Sequence, residues 1–132
     1  MGLPAATANH TVIGVDTHIV MVPTPGGPVP TPLPHPFNGI LQGGLVQTVK
    51  IAGQPAAVQN SVANNAPPHL PTPPGVSFQK PPANQGTVLM GSPTVRIGGQ
   101  MAARNGDPVT TCNDPADMPV GQIIAAGTVF IG

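Results

Sequence analysis

The sequence contains no tryptophan, no tyrosine and no glutamate. Acid–base chemistry would therefore fall to Asp16, Asp107, Asp114 and Asp117, which show no paired-carboxylate pattern, and the chain is not expected to be an enzyme. The aromatic residues are Phe37, Phe78 and Phe130, so a core must be built from Val, Ile, Leu, Ala and Met and stays thin. Basic charge is equally scarce. Lys50, Lys80, Arg96 and Arg104 cannot neutralise a phosphate track, which argues against a nucleic-acid partner. One cysteine, Cys112, excludes an internal disulfide. No apolar run reaches the roughly 18 residues of a membrane-spanning helix. Residues 1–9 lack a charged region followed by an apolar stretch, so no signal peptide is expected.

Proline and glycine are what the chain has most of, at 20 and 17 of 132 residues. Such a content without a Gly-X-Y period often marks disorder. Two features oppose that. Val and Ile concentrate in particular segments, and four basic against four acidic residues leave no repulsion to hold the chain open. A rigid, loop-rich domain covering residues 1–132 is expected, with proline-rich segments at 23–36 and 67–82. Its prolines would restrict the unfolded ensemble more than the folded one. Neither tract is expected in a central strand, because proline lacks the ladder donor. A disordered or proline-rich adaptor that links effectors is the alternative.

One sequence is written more than once. Thr48–Ala57 reads TVKIAGQPAA, Thr94–Ala103 reads TVRIGGQMAA, and Thr128–Gly132 reads TVFIG. Repeats of this period mark units that bury their apolar faces only together. The N-terminal Pro4-Ala5-Ala6 echoes Pro55-Ala56-Ala57 and Met101-Ala102-Ala103, each followed by an asparagine, Asn9, Asn60 or Asn105. Three related arms follow, the first lacking its leading strand. Residues 128–132 are expected to supply it and so cover an exposed edge. Strands are expected at 46–51, 87–90, 93–97, 122–125 and 128–131, short, β-branched and bounded by Gly, Asn or Pro. Val95 and Ile97 would share one face and Thr94 and Arg96 the other. A short helix is possible at 56–64. The fold expected is all-β, with short hairpins, proline-rich loops and pseudo-three-fold repeats.

His18 lies fourteen residues after Pro4, His69 fourteen after Pro55, and Cys112 eleven after Met101. Equivalent points in three pseudo-repeats converge near an axis. Imidazole and thiolate suit Zn²⁺, which takes four ligands in a closed structural site. His35, flanked by Pro34 and Pro36, is the best fourth ligand, and His10 is the runner-up. Without a metal, the same residues read as satisfied histidines and a small buried cysteine. Arg104 and Asp107 are placed to form a local ion pair or turn contact.

The segment Gly91–Asp107, with Pro108–Cys112 after it, resembles the repeat of PAAR-domain proteins, and residues 126–132 resemble that family's closing strand. Thr48–Ala57 looks like a diverged copy. The resemblance implies a small cone-shaped, structural fold with one zinc ion near its tip. It carries the ligand role onto Cys112 and, more loosely, onto His18 and His69; His35 is added by inference. It further implies a tip that caps and sharpens the trimeric spike of a contractile injection system, such as a type VI secretion system or a phage-tail-like particle, and aids membrane puncture. The implied partner is a trimeric VgrG-like or phage-spike-like β-helical protein, with effectors as further partners and a target membrane met transiently. Assembly would occur in the bacterial cytoplasm before delivery outside the cell or into a target. The sequence departs from the family pattern at Val58-Gln59-Asn60-Ser61, where an Arg-x-Gly-Asp-like turn is usual, and at Gly14-Val15-Asp16-Thr17-His18. No further domain is expected after Gly132.

Overall fold

Alternating burial along two long strands organises the molecule. A computed structural model describes residues 2–132. Its strands are β1 (Leu3–Pro4), β2 (Thr11–Val22), β3 (Val29–Gly43), β4 (Val46–Ile51), β5 (Gln54–Ala56), β6 (Val62–Asn65), β7 (Ser77–Phe78), β8 (Gln85–Val88), β9 (Arg96–Ile97), β10 (Gln100–Met101), β11 (Pro108–Thr111), β12 (Met118–Ile124) and β13 (Phe130–Ile131). No helix occurs among the described residues, so the short helix at 56–64 is not formed; that stretch is strand, turn and strand. The antiparallel order β12-β11-β8-β6-β3-β2 closes on itself because β12 also pairs with β2. Closure leaves the middle of this barrel-like sheet without an edge. Val12, Phe37, Leu41, Val88, Val109 and Ile123 fill its interior together with Ala6, Ala57 and Ala103.

The first proline tract is strand from Val29 onward, where a proline-rich loop was expected. Pro30, Pro32, Pro34 and Pro36 lie within β3, paired with Met21, Ile19, Thr17 and Val15 of β2. Backbone direction explains why this is tolerated. Thr17 and Ile19 turn their N–H groups away from β3, towards Asn113 Oδ1 (2.7 Å) and Asp114 Oδ2 (2.9 Å). Their partners Pro34 and Pro32 therefore stand where the ladder asks for no donor. Strand β6 pairs with β3 only from Gly39 onward, so the proline half is a local edge. The second tract behaves as expected, as loop, interrupted only by β7 against Val20 and Met21.

The alanine triplets meet at a pseudo-three-fold axis. Ala6 N donates to Ala103 O (2.9 Å), Ala103 N to Ala57 O (3.0 Å), and Ala57 N to Ala6 O (3.0 Å). A second cycle surrounds the first: Ala8 N to Pro55 O, Gln59 N to Met101 O and Asn105 N to Pro4 O. Ala6, Ala57 and Ala103 are fully buried, at 0–1% exposure, which leaves room for a methyl group and little more. The turns that follow are also equivalent. Thr7 N, Val58 N and Arg104 N each receive a side-chain cap three residues on, from His10 Nδ1 (3.0 Å), Ser61 Oγ (2.9 Å) and Asp107 Oδ2 (2.7 Å). The left-handed residue of each turn is Asn9, Asn60 or Gly106 (φ 72°, 74° and 85°). The third member is thus Gly106 rather than Asn105, which brings all three turns into one register.

Three arms leave this axis. Hairpin β4–β5 and hairpin β9–β10 are two of them, and β1 with β13 is the third, Leu3 opposite Ile131 and Pro4 opposite Phe130. The strand expected from residues 128–132 is therefore present as β13. The repeated isoleucines Ile51, Ile97 and Ile131 pack together with Val95, Ala5 and Ala102; Val129 instead stays exposed. At the β4–β5 turn, Ala52 and Gly53 both have positive φ (52° and 83°), where β9–β10 has Gly98 and Gly99 (60° and 84°). A left-handed alanine costs about 1–2 kcal/mol, partly offset by the entropy a glycine would lose. Ala52→Gly is expected to stabilise the protein by about 0.5–1 kcal/mol and raise its melting midpoint by a few degrees; a lower midpoint in a thermal melt would contradict this turn geometry.

Candidate metal centre

Side-chain alternation on β2 points Asp16 and His18 to the same, inner face, and register sets His35 of β3 opposite Asp16. His69 arrives from the loop after β6, its backbone N–H held by Asn84 Oδ1 at 2.8 Å. Cys112 follows β11 directly. Asp16, His18, His69 and Cys112 offer donor atoms that all lie within 4.8 Å of one another, and all four side chains are buried or nearly so.

Asp16 Oδ2 sits at the middle of the group. It is 2.8 Å from His69 Nε2, 3.5 Å from Cys112 Sγ and 3.9 Å from His18 Nε2. Its other oxygen accepts from the Thr111 hydroxyl and from Asn113 Nδ2 (3.4 Å). The sulfur is 3.7 Å from His18 Nε2. A zinc ion with ordinary Zn–S and Zn–N bonds separates tetrahedral ligands by about 3.6 Å, so this donor set fits such an ion.

His35 stands beside the group. The rings of His18, His35 and His69 form a triangle with centroid separations of 5.0, 5.4 and 5.6 Å. Both His35 nitrogens have protein partners, Leu33 O at 2.9 Å for Nδ1 and the Thr72 N–H at 3.1 Å for Nε2. Three of the four residues expected from sequence are thus in the tight cluster, and the fourth lies against it. His10, the runner-up, is not among the clustered donors; it caps its turn as Ser61 and Asp107 cap theirs. The Arg104–Asp107 ion pair is present at 2.9 Å, and its hydrogen bonds hold the Arg104 guanidinium pKa above the ordinary value.

Burial sets the protonation of the donors. Removal from water lowers the pKa of His18 and of His35, which favours neutral rings; the Nε2 lone pair of His35 accepts the Thr72 N–H and would have to leave it to reach a cation. The same effect, reinforced by the Asp16 charge, pushes the Cys112 thiol up to about 11. A neutral buried thiol is a poor nucleophile, but a cation can deprotonate it and take the thiolate as ligand. Phe78 closes one side, with its ring 5.8 Å from that of His18 and 5.4 Å from that of His35.

Two carboxylates of this neighbourhood escaped the sequence reading. Asp16 is two residues before His18, and that spacing on a strand puts both on one face. Asp114 shows no such signal, because its approach to β2 depends on the chain returning after β11.

Residues 79–132 match the family described as PAAR motif. No curated protein matches the chain. Proteins of this family are structural and form the spike tips of contractile injection systems. The matched segment holds Cys112, the third alanine pair, the Arg104–Asp107 turn and the closing strand β13, and in these features the chain is similar to the PAAR motif.

Proposed function

We propose that the chain acts as one domain that caps and sharpens the trimeric central spike of a contractile injection system and so aids membrane puncture. The observation that carries this reading is the pseudo-three-fold axis, with its two cycles of hydrogen bonds and three arms. A monomer built this way can meet a true three-fold partner with three nearly equivalent surfaces. The arms expose Leu3, Val49, Val129 and Phe130 for such a contact, and short strand edges beside them for backbone pairing. The partner proposed is a trimeric VgrG-like or phage-spike-like β-helical protein. Assembly in the bacterial cytoplasm, effectors as additional passengers and brief contact with the target membrane complete the reading. The adaptor alternative loses support from residues 29–36, which an adaptor would display but which are paired with β2.

Zinc is proposed as one structural ion held by His18, His35, His69 and Cys112. The ring triangle supports this set, because three imidazoles around one tetrahedral ion bring their centroids to about 5 Å separation. A second reading of the fourth place is favoured by the central position of Asp16 Oδ2, which would give a His18, His69, Cys112 and Asp16 site.

Mixing the protein with a folded trimeric spike from the same injection system tests the capping role. Native mass spectrometry is expected to show one cap per three spike chains. No complex, or three caps bound independently, would overturn the reading.

A further inference from the structure

His18 Nδ1 is a buried polar atom without a hydrogen-bond partner, although the side chain is only 1% exposed. The carboxylate Oδ2 of Asp114 stands 3.5 Å from it, while Nε2 of the same ring faces Cys112 and Asp16. Asp114 is itself tied to β2. Its N–H donates to Thr17 O (2.8 Å) and its Oδ2 accepts from Ile19 N–H (2.9 Å). The preceding Asn113 adds a third tie through Thr17 N–H at 2.7 Å. The loop after Cys112 is thus bound to the two residues that flank His18, and a negative charge is delivered to the one ring nitrogen that the donor cluster does not use.

We infer that Asp114 is a positioning residue for the metal centre: it holds His18 with the proton on Nδ1 and so aims the Nε2 lone pair at the ion. This inference rests on the metal reading above. It follows from the chemistry of imidazole, in which a proton on one nitrogen leaves the lone pair on the other. A carboxylate behind a ligating histidine also raises its basicity and fixes its ring, and loss of such a partner costs 10–100-fold in metal affinity. The distance of 3.5 Å is longer than a formed hydrogen bond. Withdrawal of electron density by a bound cation makes Nδ1–H a stronger donor, so the contact is expected to shorten on loading.

Two measurements test the assignment. The ¹⁵N shifts of the metal-free protein report the His18 tautomer directly, and the Nδ1–H form is expected; the Nε2–H form would overturn the inference. The second compares wild type with Asp114→Asn, which keeps an oxygen for the Ile19 N–H but removes the charge. Zinc affinity from chelator competition is expected to fall 10–100-fold, with the Nδ1–H resonance moving upfield and the metal-free melting midpoint nearly unchanged. Affinity within twofold of wild type would overturn it. So would a fall in midpoint equal with and without zinc, which marks a purely structural role. A wild-type protein that binds no zinc would sink the metal reading instead, and the metal-free tautomer would still decide the pairing of His18 with Asp114.

Discussion

Removal of zinc by a chelator is expected to lower the melting midpoint by on the order of 10–15 °C. An ion present at about a thousandfold over its Kd contributes about 4 kcal/mol, and each kcal/mol moves a domain of this size by a few degrees. The fold has little else with which to offset that loss. Its interior is built mainly from Val, Ala and Ile, with Phe37 as its one large ring. Differential scanning calorimetry with and without chelator measures the shift, and an unchanged midpoint would refute a structural ion. Cys112→Ser is expected to abolish tight binding, and His10→Ala to leave it intact. Replacement of His35 and Asp16 divides the two ligand sets. Loss of zinc in His35→Ala with retention in Asp16→Asn is expected; the opposite pattern would replace His35 by Asp16 as fourth ligand.

Proton release gives the same site a pH signature. The Cys112 thiol, at about 11 without metal, must lose its proton to ligate, whereas burial already keeps His18 and His35 neutral. Zinc affinity should therefore rise about tenfold per pH unit between pH 7 and 9 on account of this one proton. Stability of the zinc-free protein runs the other way. A thiol whose folded pKa exceeds its ordinary 9.0 contributes stability that is whole below pH 9 and is lost as pH climbs towards 11. Affinity independent of pH over 7–9 would mean that Cys112 is not a ligand.

Ala57→Leu is expected to cost about 3 kcal/mol or more and to lower the midpoint by roughly 10 °C. Ala57 is 1% exposed at the axis, and its backbone both donates to Ala6 and accepts from Ala103. Insertion of three carbons into a packed interior usually costs about 1–3 kcal/mol through displaced neighbours. Here displacement also opens the cycle of hydrogen bonds, so three arms feel one substitution. The exposed Ala126→Leu is the control and should melt within about a degree or two of wild type. Equal midpoints for the two variants would show that the axis is not tightly packed. Reduced spike binding by Ala57→Leu at a temperature where it remains folded is expected as well, because arm geometry depends on the same ring.

Much of this was legible in the residue order. The recurrence of TVKI, TVRI and TVFI marked three strands, and the structure packs their isoleucines together. The alanine pairs marked three related arms, and the structure shows why they are small: Ala6, Ala57 and Ala103 meet backbone to backbone at the axis. Equal spacing from these pairs to His18 and His69 marked two side chains that the structure brings into one buried cluster. The β4 strand falls on the expected 46–51. The two longest strands were harder to read, because in β3 proline after proline conceals a period-2 pattern. Pro30, Pro32, Pro34 and Pro36 occupy one face and Thr31, Leu33, His35 and Phe37 the other, increasingly buried. A rule against proline in sheets is a rule about donors, and alternate residues of a local edge need none.

Local chemistry was thus written in the chain itself: the small residues at the axis, the branched residues of the arms, the imidazoles and the thiol. Long-range pairing settled which of these groups share a cavity. Asp16 and Asp114 entered the site only because β2 receives β3 on one side and the Asn113–Asp114 segment on the other. A carboxylate's role depends on which charges and donors lie within about 4 Å, and that distance is set by strand register rather than by separation along the sequence.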